Sequence, residues 1–278
     1  LGLPVILTCM IAPHCKQLFK LPRIYTRSFK MSSQTNTPET ALSDVVSNAH
    51  VVNERIQACA EAAGRPRDSV RLVAVSKTKP AEAIQQLYDA GYRHFGENYL
   101  QELTEKAAIL PKDIHWHFIG HLQSSKASKI TKDVPNLYML ETIDSEKLAN
   151  KVNNARGTAG LPPLKVFIQV DTSGEATKSG VDTGSELLSL ATFITQQCPN
   201  LRLAGLMTIG APDDASCFDK LAHSRVEVAE LLKISIEELE LSMGMSGDYE
   251  AAIQRGATSV RVGSTIFGAR LYPKKESS

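Results

Sequence analysis

Much that would announce a secreted, membrane or nucleic-acid-binding protein is missing from this chain. Cysteine is scarce, five in 278 residues (Cys9, Cys15, Cys59, Cys198 and Cys217), and none forms a Cys-x-x-Cys pair. That spacing suits reduced thiols in a reducing compartment better than a disulfide frame or a zinc ribbon. No apolar run approaches the roughly 18 residues that span a bilayer. Charge of one sign is not in excess either: 31 Lys+Arg against 30 Asp+Glu leave a formal net charge of +1. A balance this close gives no global field to draw in nucleic acid or an anionic membrane. Internal repeats and low-complexity segments are absent, and no Gly-x-Gly-x-x-Gly turn follows the first strand, which speaks against a dinucleotide fold. One stretch lacks a residue class altogether. Residues 1–38 hold no Asp or Glu, yet carry Lys16, Lys20, Arg23, Arg27 and Lys30. Basic, acid-free sequence of this kind reads as an organelle transit segment, or else as leader ahead of a start at Met31. The expected location is cytoplasmic, or mitochondrial or another organelle if the segment is a genuine import signal.

What is present is a core and a rhythm. Apolar residues make up 42% of the chain, enough for one large domain. Leu42, Val45, Val46, Ala49, Val52 and Ile56 recur at helical spacing and predict a helix over 39–63, closed by Gly64-Arg65-Pro66. From there apolar strand patterns alternate with helical ones. Strands are expected at about 70–77, 93–98, 114–120, 136–142, 164–171, 201–208, 239–243 and 259–263, each followed by a helix or helical turn. Eight such units predict an α/β protein of the (β/α)₈ barrel class, with residues 39–272 as a single domain and 273–278 as a polar tail.

A barrel places its chemistry at the C-terminal ends of its strands, and phosphate sites at strands seven and eight. Those ends present Lys77, Asn98, His121, Thr142, Asp171, Thr208, Ser246 and Arg261. Lys77 closes the run Arg71-Leu72-Val73-Ala74-Val75-Ser76, and Pro80 starts a helix beyond it. An apolar wall behind an amine favours its neutral, nucleophilic form, as a Schiff base requires; a solvated strand-end lysine is the plain alternative. Ser242-Met243-Gly244-Met245-Ser246-Gly247 and Gly263-Ser264-Thr265 are small-residue turns at the two strand ends suited to phosphate. Alternation through Val260-Arg261-Val262 aims Arg261 into the barrel mouth if the valines pack outward. There it either meets a ligand or pairs with a carboxylate such as Glu97 or Asp171. A lysine, a phosphate cradle and a buried arginine together describe a site for pyridoxal 5′-phosphate (PLP).

Longer stretches carry a family likeness. Val73-Ala74-Val75-Ser76-Lys77-Thr78-Lys79-Pro80, Phe95-Gly96-Glu97-Asn98-Tyr99, Trp116-His117-Phe118-Ile119-Gly120-His121-Leu122-Gln123, Leu206-Met207-Thr208, Leu241 to Ser246 and Val260 to Gly268 span residues 73–268. In them the chain resembles the family of PLP-binding, pyridoxal phosphate homeostasis proteins, and through it the N-terminal barrel of alanine racemase (fold type III). The resemblance implies that Lys77 carries PLP as a Schiff base. It also implies that Ser246, Gly247, Gly263 and Ser264 hold the phosphate, that Arg261 faces the pyridine nitrogen, and that Asn98 lies near the ring or its hydroxyl. The implied role is intracellular vitamin B6 homeostasis, buffering PLP or delivering it to apo-enzymes, by a monomer or weak homodimer. An arginine at the ring nitrogen makes a weaker electron sink than a carboxylate would. The chain also ends about fifteen residues after the last barrel strand, where racemases would add a domain with a second base. Holding rather than turnover is therefore expected, with a small fold-type III PLP enzyme, such as an amino-acid racemase, as the alternative. A cofactor-free, lysine-dependent aldolase is a third and weaker reading.

Other residues invite plainer readings. His115 and His117 share a strand face, but no complete ligand set accompanies them, so a hydrogen-bonded role is expected over a metal. Trp116, on the opposite face, is expected to pack. Lys126, Lys129 and Lys132 at helical spacing read as a solvated face. Lys178, in the loop after strand five, reads as a solvated lysine or as a second amine able to capture PLP.

Overall fold

In the computed structural model of the chain the described residues are 38–174 and 179–269. The expected leader up to residue 37, Lys178 and the tail at 273–278 lie outside them. Helix α1 (Pro38–Ala62) leads in, and the chain then alternates through β1 (Arg71–Val75), α2 (Ala81–Asp89), β2 (His94–Glu97), α3 (Leu100–Ile109) and β3 (His115–Phe118). A 3₁₀ turn (Ser124–Lys126) runs into α4 (Ala127–Asp133), followed by β4 (Leu137–Ile143), α5 (Glu146–Thr158), β5 (Leu164–Asp171), β6 (Val181–Asp182) and α6 (Ser185–Gln197). The last units are β7 (Leu201–Met207), α7 (Ser216–Leu232), β8 (Glu240–Ser242), α8 (Tyr249–Gln254), β9 (Ser259–Val262) and α9 (Ser264–Phe267). No helix among the described residues is long and apolar enough to cross a membrane.

Eight strands close into the expected barrel. The order runs β4-β3-β2-β1-β9-β8-β7-β5, and β4 then pairs with β5 to shut the ring, Met139 opposite Lys165 and Leu140 opposite Val166. Every pair is parallel, as βαβ crossovers dictate. The ninth strand, β6, was not expected. It is two residues long and lies against the end of β5 in what reads from sequence as a plain Gly/Ser loop.

Alternation along each strand divides the core in two. Leu72 and Ala74, Val166 and Ile168, and Val260 and Val262 join a large apolar layer shared with helix residues such as Ile84, Leu103 and Leu187. The opposite faces fill the barrel, where Met139, Phe167, Ala204 and Met207 form a smaller separate cluster. Trp116 is fully buried in the outer layer against Phe95, a packing residue as expected. Lys126, Lys129 and Lys132 are exposed.

Gly244 fixes how β8 hands over to α8. Its φ is +92°, and a Cβ there would lie 2.6 Å from Ala252 Cβ and 2.9 Å from Tyr249 Cα. Only glycine fits both the left-handed backbone and the contact. Gly244→Ala is expected to lower stability by about 1–3 kcal/mol and to loosen the following Met245-Ser246-Gly247 turn. Urea denaturation of wild type and variant measures the first effect.

Candidate cofactor site at the strand ends

The Lys77 segment is moored from outside the barrel. Ser76 donates its amide to Gly96 O (3.0 Å) and its hydroxyl to Glu97 Oε1 (2.6 Å). Lys106 on α3 sits behind it, its Nζ donating to Ser76 O (2.9 Å), Glu97 Oε1 (2.8 Å) and Glu102 Oε2 (2.8 Å). Glu102 also accepts from the Thr78 amide at 2.7 Å. Thr78 needs that tie, since its φ of +61° is an unusual conformation for a β-branched residue. The residues on both sides of Lys77 are thus held by one ion cluster, and Lys77 itself, half-buried, turns into the cavity at the barrel mouth. Burial raises the Glu97 carboxyl above its ordinary range, with Lys106 and Ser76 opposing the shift.

That cavity, about 240 Å³, is lined by Lys77, Lys79, Met245, Ser246, Gly247, Arg261, Gly263 and Ser264, with Val75 and Ile119 as apolar wall. The two small-residue turns meet directly: the Gly263 amide donates to Ser246 Oγ at 3.2 Å. Gly247 leaves open space where a Cβ would stand, and a Cβ on Gly263 would press to 3.2 Å from Val75 O. Arg261 is 5% exposed. Its NH1 donates to Ser242 Oγ (2.7 Å) and its NH2 to Thr208 O (2.8 Å). Among the described residues two of its five N–H donors are so used, which leaves others for a ligand in the cavity that it lines.

Below the cavity a polar chain descends through the barrel. Ser242 Oγ lies 2.5 Å from Glu141 Oε2, Glu141 Oε1 is 2.6 Å from His117 Nδ1, and His117 Nε2 is 2.9 Å from His94 Nδ1. His94 Nε2 continues to His115 Nδ1 at 3.3 Å, and His115 stacks on Tyr138. Burial would raise the Glu141 carboxyl, but hydrogen bonds from His117 and Ser242 and the charge of Arg261 hold it below its ordinary value. His94 is lowered to about 2 by burial, then by His117, Arg71, His115 and Lys165 around it. A neutral His94 has a consequence for acid stability. The unfolded chain binds a proton there near pH 6.5 and the folded one near 2, so stability falls as pH drops between those values. Wild type is expected to lose about 2 kcal/mol more than His94→Gln between pH 7 and pH 5, read by chemical denaturation at both.

The structure brings Lys77, Ser246, Gly247, Arg261, Gly263 and Ser264 to one cavity. Asn98 does not line it, although its Oδ1 is buried without a hydrogen-bond partner among the described residues. The carboxylates expected as alternatives for Arg261 are engaged elsewhere. Glu97 points outward to Lys106, and Asp171 Oδ1 accepts from the Ser173 hydroxyl and from the Ser173 and Gly174 amides. The acid that serves Arg261 is Glu141, through Ser242. His121 is exposed and pairs with Asp144 at 3.3 Å, and Thr142 Oγ1 donates to Gly120 O. His115 and His117 do share a face, where His94 joins them.

A parallel barrel with an amine, a guanidinium and two small-residue turns at one mouth is of the alanine racemase N-terminal class. Residues 48–271 match the family described as alanine racemase, N-terminal domain. The pyridoxal phosphate homeostasis protein of Homo sapiens is 48% identical over 244 residues, 81% of this chain and 86% of that protein. Its namesake in Pseudomonas aeruginosa is 44% identical over 232 residues, 83% of this chain and 98% of that protein. The chain belongs to the pyridoxal phosphate homeostasis protein family. Among solved structures, PipY of Synechococcus elongatus with PLP bound matches at 36% identity and a TM-score of 0.61, over 78% of this chain and all of that one. An alanine racemase from Corynebacterium glutamicum, 18% identical, shares the fold with a TM-score of 0.62 over 85% of this chain and 64% of its own.

Proposed function

We propose that this chain binds PLP in the cavity at the strand ends, holds it covalently on Lys77, and buffers it or hands it to apo-enzymes. The carrying observation is that Lys77, Arg261 and the turns holding Ser246, Gly247, Gly263 and Ser264 line one cavity. The donor set fits the cofactor. Open space at Gly247 and hydroxyls at Ser246 and Ser264 suit a phosphate, and a guanidinium with donors in hand suits a ring nitrogen that accepts. The Asn98 Oδ1, buried without a described partner, suits a hydroxyl near it. Bound PLP supplies a reactive aldehyde. Lys77 would hold the group by condensing its amine with that aldehyde, one C=N bond formed and one water released, and hydrolysis would reverse it. A reversible bond of this kind is what a carrier needs.

The same lining supports holding over turnover. Among the described residues around the cavity the proton-transfer groups are Lys77 and Lys79; there is no Asp, Glu, His, Tyr or Cys. Racemisation needs a second base facing the first, and the Lys79 Nζ is turned to Ala269 O, to which it donates at 2.9 Å. Arg261, always a donor, favours an unprotonated ring nitrogen and a weaker electron sink. Loading the purified chain with PLP, removing free PLP by gel filtration and mixing with the apo-form of a PLP-dependent enzyme tests the reading. Reactivation faster than with the same concentration of free PLP is expected. Equal or slower reactivation overturns direct delivery, and failure to retain PLP overturns the reading as a whole.

A further inference from the structure

We propose that Glu141 is a positioning residue for this cofactor site: through Ser242 it fixes the Arg261 guanidinium and balances its charge at the cavity that would hold PLP. The inference rests on the reading that PLP occupies the cavity lined by Lys77 and Arg261.

Hydrogen-bond polarity carries the argument. A guanidinium only donates, so Ser242 Oγ accepts from Arg261 NH1 and must send its own hydrogen to Glu141 Oε2. On the other side His117 Nδ1 donates to Glu141 Oε1. Beyond it His117 Nε2 meets His94 Nδ1, and His94 Nε2 meets His115 Nδ1. Both bonds that reach Glu141 therefore point at its carboxylate. A fully buried carboxylate that receives donors from both directions is an anion, and the nearest fixed cation in its chain of partners is Arg261.

The arrangement is not a proton relay to the cofactor, because its last member, arginine, does not release a proton. Nor is it a direct ion pair. A fork-to-carboxylate contact would consume two guanidinium donors on the acid, whereas one serine oxygen takes a single N–H and leaves others for the cavity. Serine thus passes on the carboxylate's field and keeps the arginine available. Glu141 and Ser242 are fully buried directly below the site, so this field is little screened by solvent.

Two variants test the idea on PLP-loaded protein: Glu141→Gln, which removes the charge, and Ser242→Ala, which cuts the link. The pH midpoint of the cofactor's visible band reports local charge, which a merely structural role does not move. Removing the anion disfavours protonation at Lys77 Nζ when it carries the cofactor, so the midpoint in Glu141→Gln is expected to fall by about one pH unit. Ser242→Ala is expected to release PLP about tenfold faster and to show a smaller rise in thermal midpoint on adding PLP than wild type. A folded Glu141→Gln with an unchanged or raised midpoint, or a Ser242→Ala release rate within twofold of wild type, overturns the proposal. If Glu141→Gln does not fold, the Ser242→Ala arm decides. Wild type that forms no band dependent on Lys77 defeats the underlying reading instead, and the two failures are distinct.

Discussion

Replacement of Lys106 by methionine is expected to cost about 3–5 kcal/mol of folding stability, the range for breaking one side of a buried ion pair. The Nζ of Lys106 satisfies Ser76 O, Glu97 Oε1 and Glu102 Oε2 together, and Lys106 and Glu97 are 7% and 0% exposed. Without the ammonium, Glu97 keeps only the Ser76 hydroxyl on one oxygen, and its Oε2 already has no described partner. Burial raises the Glu97 carboxyl even with Lys106 in place, and removing the ammonium takes away the largest opposing influence. Pairing Lys106→Met with Glu97→Gln removes the stranded charge and is expected to recover a substantial part of the loss. Urea denaturation of the four proteins of that cycle gives the coupling directly. A second effect follows from place. The cluster flanks Lys77 on both sides, so PLP retention is expected to fall in Lys106→Met even at temperatures where the protein stays folded.

Replacement of Lys77 by alanine has the opposite profile: little change in the fold and complete loss of covalent cofactor. Its side chain is half-buried at the cavity wall and belongs to neither apolar cluster, so a stability change within about 1 kcal/mol is expected. Borohydride treatment of PLP-loaded wild type is expected to fix the cofactor to the protein, and in the variant to fix none in the cavity. The Arg261 and Ser246 sides of the site remain, so weak, freely reversible PLP binding should survive and be displaced by inorganic phosphate. Absorbance before and after gel filtration separates the two cases.

How far the chain could be read without coordinates depended on which contacts are local. The barrel was legible because its signal repeats eight times, an apolar run followed by a helical period, and no long-range knowledge is needed to count it. Lys77 and Arg261 were legible for the same reason. Strand ends locate one, and the Val260-Arg261-Val262 alternation locates the face of the other. The partner of Arg261 was not, because Glu141 is 120 residues away along the chain. One signal pointed to it: a single acid on the inward face of Leu137-Tyr138-Met139-Leu140-Glu141, a strand otherwise apolar or aromatic, must be buried and therefore must be partnered. Glu97 misled as a partner because its strand face is the outer one, where the ammonium of Lys106 waits on a helix. The two-residue strand β6 is too short for any periodic pattern to announce it.

With the strand-end cavity as the PLP site, Lys77 is its covalent holding point. Borohydride reduction of PLP-loaded protein, proteolysis and mass mapping of the pyridoxyl label tests it most directly. One stoichiometric label is expected on the peptide containing Lys77, absent in Lys77→Ala. A label spread over surface lysines, or centred on any other lysine with Lys77 unmodified, would contradict it.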